Sequence, residues 1–355
     1  MQVALNQLAA HLAKGLKPIY VLHGEEPLLQ QEAADLIRLT ARQQGFTERS
    51  VFTVAGAHFD WGAVLAAGGS LSLFADRQIV ELRIPSGKPG KEGSQALQEV
   101  AEQTQDNDAL LVLVLLPRLD KATQSSAWFA ALEGRGVSVR IDPIERSALP
   151  AWIAQRLDAQ GQRVEAGEAG QNTLQFFADR VEGNLLAAHQ EIQKLALLYP
   201  KGELSLAQIE ACVLNVARYD VFKLGEAVLS GHQARVQRML DGLRAEGESE
   251  VLVHFTLAED IRALRQVKES VSQGQPLPMA LRENRVWGLR ERLFERVLPR
   301  IALVDLDNLL LAAHTVDGLV KGLRHPDWPQ DAWQALHKLA MQLCQACQPS
   351  TARGR

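Results

Sequence analysis

Along the first 142 residues, short apolar or β-branched runs alternate with stretches in which apolar residues recur every three or four positions. Runs at 18–22, 50–54, 78–82, 109–116 and 137–141 have no helical spacing and predict strands. Leu29, Ala33, Leu36, Ile37 and Ala41 trace one face of a helix closed by Gly45, and a second helix is expected over 123–132. Strands and helices alternating in this way predict an α/β domain, a parallel sheet with helices on both faces. The polar, glycine-rich stretch 85–93 reads as a surface connection.

After Asp142-Pro143 the strand signal stops. Trp152, Ile153 and Leu157 open a helical region, followed by apolar helices over 174–181, 185–198 and 206–213, with Tyr199-Pro200-Lys201-Gly202 as a break. From Tyr219 onward, amphipathic segments at 221–229, 234–243, 251–271, 289–311 (interrupted at Pro299) and 333–344 predict a helical bundle. The pattern therefore divides the chain at 1–142, 143–214 and 215–346, with 347–355 as a loose tail.

Composition narrows the function. With 355 residues, 46% of them hydrophobic, the chain can bury a full core, and a net charge of −4 supplies no global attraction to nucleic acid or to acidic membranes. Three cysteines, Cys212, Cys344 and Cys347, do not make a disulfide framework. The longest apolar run, 109–116, is too short to cross a bilayer, and Met1-Gln2-Val3-Ala4-Leu5-Asn6 has neither the basic start nor the apolar stretch of a signal peptide. A cytoplasmic protein is expected.

The candidate chemistry is mostly a set of absences. Tyr20-Val21-Leu22-His23-Gly24-Glu25-Glu26-Pro27-Leu28-Leu29 runs from strand through a glycine turn into a helix, where a phosphate-binding loop would supply a second glycine, a lysine and a Ser or Thr. Here Glu25 and Glu26 occupy the helix start, where an anion would otherwise bind. The strand that would carry magnesium-binding carboxylates ends Leu115-Leu116-Pro117, with no acid before Asp120. No HExxH or G-x-S-x-G arrangement is present, and Cys344-x-x-Cys347 lacks the second pair a zinc site needs. No catalytic residue, metal or cofactor is expected.

Two stretches point to binding instead. In Gly68-Gly69-Ser70-Leu71-Ser72-Leu73-Phe74-Ala75-Asp76-Arg77, Leu71, Leu73 and Phe74 either form a compact apolar wedge for a partner or pack under the sheet. Between 282 and 300 stand six arginines (Arg282, Arg285, Arg290, Arg292, Arg296, Arg300) against three glutamates, with Trp287 among them. Such a face either follows a phosphate backbone or is laced with intrahelical ion pairs.

Several segments in order resemble the delta subunit of the bacterial DNA polymerase III clamp loader. They are 20–30, then Ser72-Leu73-Phe74-Ala75-Asp76-Arg77-Gln78, Trp128-Phe129, Glu182-Gly183-Asn184-Leu185-Leu186-Ala187, Leu197-Leu198-Tyr199-Pro200 and Arg285-Val286-Trp287. The resemblance implies an AAA+-like N-terminal domain without a working nucleotide site, a small helical lid domain and an all-α collar domain. It further implies a subunit without catalysis of its own within the DNA-directed DNA polymerase III holoenzyme. Such a subunit binds the beta sliding clamp and holds its ring open, while other loader subunits hydrolyse ATP. The clamp-binding element then falls on Leu71, Leu73 and Phe74. The implied partners are the clamp, the other loader subunits and primer-template DNA inside the assembled loader, where Arg285 and Arg290 would line the path. Glu182-Gly183-Asn184 reads as a helix end and helix start, without chemistry. The readings left aside are an active AAA+ ATPase and a stand-alone DNA-binding helical protein.

Overall fold

Seven consecutive apolar residues, Leu110–Leu116, form a strand covered on both faces, and the first unit is built around it. The computed structural model describes residues 1–56, 58–69, 77–105, 107–214 and 216–348. It divides into two units, Met1–Trp152 and Ile153–Arg355. The first unit runs β1 (Gln2–Ala4), α1 (Leu8–Leu12), β2 (Ile19–Gly24), α2 (Pro27–Gln43), β3 (Glu48–Thr53), α3 (Trp61–Gly69) and β4 (Gln78–Arg83). It continues with α4 (Gly90–Gln103), β5 (Leu110–Leu116), α5 (Lys121–Gln124), α6 (Ala127–Arg135) and β6 (Val137–Ile141).

The six strands are all parallel, in the order β1-β6-β2-β5-β4-β3. Because strand side chains alternate, Ile19 and Val21, Val80 and Leu82, and Val112 and Val114 share one face. There they pack with Trp61 and Val64 of α3, Leu97 and Val100 of α4, and Trp128, Phe129 and Leu132 of α6. Tyr20 points to the other face, where the His11 ring of α1 meets it edge-on and α2 buries Leu29, Ala33 and Ile37. On that face Glu81 of β4 is fully buried, with its carboxylate 2.8 Å from Arg38 of α2 and 2.6 Å from Arg83.

Differences from the pattern have local causes. The helix expected over 123–132 is two helices, because Ser126 adopts an extended backbone (ψ 153) and its Oγ donates to the Thr123 carbonyl at 2.6 Å. The connection expected over 85–93 ends early, where α4 starts at Gly90.

The helix α7 (Leu149–Ala159) leads from the first unit into the second. It is followed by β7 (Gln162–Val164), α8 (Glu168–Val181), α9 (Leu185–Leu198), β8 (Gly202–Leu204) and α10 (Leu206–Cys212), with β7 and β8 paired in parallel. Then come α11 (Leu224–Leu229), α12 (Gln233–Ala245), α13 (Glu250–Ser272), α14 (Leu277–Glu283), α15 (Leu289–Val297), α16 (Leu303–Val320) and α17 (Ala332–Cys347). The break at Pro299 separates α15 from α16, as the pattern indicated. Leu257, Ile261 and Leu264 of α13, Leu306 and Val316 of α16, and Leu336, Leu339 and Leu343 of α17 form the bundle core.

The middle helices are tied to this bundle. Gly183 ends α8 with φ +75, and a Cβ there would lie 1.9 Å from the Arg218 carbonyl oxygen, while Asn184 caps α9 through the Ala187 amide. Glu182 pairs with Arg235 at 2.5 Å and Asp179 with Arg238 at 2.8 Å. These ties place 153–214 in one unit with the bundle, although the sequence pattern marks a division at 214.

Cys344 and Cys347 are buried in the bundle core, and burial pushes their thiols up to about 11 and about 12. Both thiols therefore stay protonated near neutral pH, where only a thiolate attacks a disulfide reagent. Titrating the native protein with an aromatic disulfide at pH 8 is expected to release rapidly at most one equivalent, from half-buried Cys212, and all three only after denaturation. Rapid native reaction of two or more thiols would show that the α17 pair is accessible.

Candidate functional site

The turn that would cradle phosphate is filled by the chain itself. Glu26, at the N-cap of α2, accepts from the Leu28 amide at 3.3 Å, so its own carboxylate occupies the helix start. Burial raises the Glu26 pKa above its ordinary value, against the lowering effect of the Leu28 hydrogen bond. One turn later the Gln30 side chain donates to the carbonyls of Leu116 at 2.8 Å and Leu22 at 3.4 Å, joining the ends of β5 and β2. Beside this lies a cleft of about 540 Å³ lined by His23, Glu25, Arg118, Asp120, Lys121, Arg140 and Asp142. Its charges are largely committed: Arg118 to Glu25 at 3.3 Å, Arg140 to Asp142 at 2.8 Å, and Asp120 to the Thr123 amide at 2.7 Å. His23 is buried against the edge of Phe129, and burial, with Arg140 nearby, lowers its pKa.

Leu71, Leu73 and Phe74 lie outside the described residues, and the structure places only the two ends of their segment. On the α3 side, Gln103 donates to the Leu65 carbonyl at 3.4 Å and sits where a Cβ on Gly68 would be, 2.4 Å from Gln103 Oε1. Asn107 reaches the Gly68 carbonyl at 3.5 Å. On the β4 side, the Arg77 guanidinium donates to the Gln44 carbonyl at 2.7 Å and lies over the Phe46 ring, and Gln78 donates to the Ala67 carbonyl. Both ends are thus fastened to α2, α4 and the loops that follow them. Sequence reasoning missed Gln44, Gln103 and Asn107, because Gln44 lends its backbone carbonyl to Arg77, and Gln103 and Asn107 donate to backbone carbonyls, each across more than 30 positions.

The arginines between 282 and 300 separate into two kinds. Arg282, Arg285, Arg292, Arg296 and Arg300 are exposed, and the structure gives them no side-chain ion pair among the described residues, Arg296 donating instead to the Leu229 carbonyl at 3.4 Å. Arg290 differs, with its Nη2 2.6 Å from Oδ1 of buried Asp260. Of the two arginines expected to face nucleic acid, Arg285 is therefore presented to solvent and Arg290 is engaged within the bundle. Trp287 is 59% exposed, whereas Trp333 is partly buried against the core. Among the described residues no group of three or more His, Cys, Asp or Glu is placed to hold a metal ion, and no helix is long and apolar enough to cross a membrane.

Residues 20–142 match the family described as DNA polymerase III, delta subunit, and residues 221–350 match that described as processivity clamp loader gamma complex DNA pol III C-term. DNA polymerase III subunit delta of Escherichia coli is 32% identical over 339 residues, covering 96% of this chain and 95% of that one. The same subunit of Haemophilus influenzae is 27% identical over 352 residues, covering 96% and 98%. The solved structure of the Bacillus subtilis DNA clamp loader delta protein aligns with a TM-score of 0.50 at 18% identity, over 96% of this chain and 99% of that one, and shares its fold. Two matched regions in the expected order and near full-length similarity lead to one conclusion: the chain belongs to the DNA polymerase III delta subunit family, a component of the clamp loader.

Proposed function

We propose that this chain binds the beta sliding clamp through Leu71, Leu73 and Phe74, holds the ring open for loading onto primed DNA, and has no ATPase activity of its own. The observation that carries the reading is the Ser72-Leu73-Phe74 segment standing, in a chain of this family, between two fastened ends, at Gly68 and Arg77. A wedge of large apolar side chains close together in sequence suits a pocket on a partner, the usual form of an interface anchor. It favours an open ring only by binding that form more tightly than the closed one. Glu26 and Gln30 speak against a nucleotide at the α2 turn, so ATP bound elsewhere in the loader would act by exposing or hiding the wedge.

In this reading, residues 1–142 form the AAA+-like clamp-binding part, 143–214 the lid and 215–346 the collar that meets sister subunits. Primer-template DNA in the assembled loader meets the exposed arginines beginning at Arg285. The test is binding of the purified chain to the sliding clamp of the same organism with no nucleotide present. Saturable 1:1 binding is expected. Binding that appears only on adding ATP to this chain alone would favour the ATPase reading instead.

A further inference from the structure

The corner between α14 and α15 is held in an unusual way. Arg285 has φ +55, the one positive value at a non-glycine position among the described residues, and Gly288 has φ +65. Between them Val286 is 2% exposed and Trp287 59%, so one residue of the corner is sunk into the bundle and its neighbour faces solvent. At the first turn of α15, Arg290 reaches back to α13, with Nε 2.7 Å and Nη2 2.6 Å from Oδ1 of Asp260. Asp260 is 5% exposed and packs so closely on α11 that a Cβ at Gly225 would lie 2.2 Å from its Oδ2. A carboxylate buried this deeply needs its cation, because removing one partner leaves an uncompensated charge. Burial raises the Asp260 pKa, and Arg290 works against that rise. Arg290 also lies over the Phe294 ring at 5.2 Å.

We infer that Asp260 and Arg290 are a positioning pair for a nucleic-acid contact made by the α14–α15 corner. Arg290 does not meet a phosphate itself. Through Asp260 it sets how α15 leaves the corner, and with it where Arg285 and the flanking Arg282 and Arg292 present their charges. The inference rests on the proposed DNA contact of this stretch and reassigns Arg290 within it.

The two roles predict opposite signs for one substitution. If Arg290 bound phosphate, Asp260→Asn would release it and tighten DNA binding. If the pair positions the corner, Asp260→Asn weakens binding as Arg290→Ala does, and the double variant is no weaker than either single one. The probe is a fluorescent primed duplex titrated with the full chain from low to moderate salt, each variant being checked for cooperative thermal unfolding above the assay temperature. The expected result is a loss of roughly fivefold for each single variant and for the double, with Arg285→Ala lowering the slope of log K against log salt by about 0.9. Arg290→Gln replaces Arg290→Ala should the latter unfold. Tighter binding by Asp260→Asn, or additive losses in the double variant, would overturn the positioning role while leaving the DNA contact standing. An Arg285→Ala variant with unchanged affinity and slope would sink the DNA reading, and the positioning pair with it.

Discussion

Replacing Leu73 and Phe74 together by alanine is expected to weaken clamp binding about a thousandfold while leaving the unfolding midpoint of the chain unchanged. Interface anchors of this kind cost about 2 kcal/mol or more each when truncated, and two of them approach 4 kcal/mol, or roughly three decades in affinity. The described core over the sheet is built by β2, β4 and β5 with α3, α4 and α6. Stability is measured beside binding because the two placements of Leu73 and Phe74, on a partner or under the sheet, differ in it. Leu71→Ala alone is expected to cost less, since two anchors remain. Titration calorimetry and thermal unfolding on the same samples separate the outcomes: lost binding with an intact midpoint supports the wedge, and a midpoint falling by many degrees would place these side chains in the core instead. Unchanged affinity would move the clamp contact elsewhere on the chain.

The second large effect concerns stability. Glu81 is fully buried, and Arg38, 7% exposed, is the more deeply buried of its two closest partners; Arg83 has a half-exposed side chain, and Arg49 stands farther off at 3.8 Å. Arg38→Ala leaves a buried carboxylate without its nearest inward partner and removes the stem that α2 lays on the sheet. A loss of about 3 kcal/mol is expected, the lower end of the range for breaking a buried pair because Arg83 stays. The same pair makes the first unit acid-sensitive. Burial raises the Glu81 pKa, but hydrogen bonds from Arg83 and Arg38 outweigh it and hold the carboxyl below its ordinary value. A group depressed in this way contributes its full stability above the unfolded value near 4, and the contribution is lost as pH falls through the folded value. Urea unfolding at pH 7 and across pH 5 to 3 checks both parts: Arg38→Ala lowers the midpoint at pH 7, and Glu81→Gln flattens part of the acid loss. A neutral Arg38→Ala would mean that Arg83 alone compensates Glu81.

The elements legible in the sequence were those whose own residues carry the signal. Leu110–Leu116 is apolar throughout, and Ile19 to Leu22 is covered on both faces, so both strands were readable without a partner. The helices α3 and α4 were not. Their contact depends on small residues, with Gly93 lying so close to Trp61 that a Cβ there would stand 2.3 Å from the ring, and glycine and alanine leave a faint apolar pattern. The three-residue strands β1, β7 and β8 are too short for any period to show. At the candidate site, the absence of phosphate-loop residues and the acidic helix start at Glu25 and Glu26 are visible in the sequence, but the part played by Gln30 is not, because it acts on Leu116, 86 positions away. Arg290 was readable only as one charge in an arginine-rich stretch, since its partner Asp260 lies 30 positions earlier on another helix.

Ring opening itself is tested most directly by loading the clamp onto closed circular DNA, removing the loader, and adding this purified chain without nucleotide. Release of rings in proportion to the chain added, abolished by Leu73→Ala with Phe74→Ala, is the expected result. Rings that stay on the circle when the chain is saturating, or that leave only after ATP is supplied with this chain alone, would contradict it.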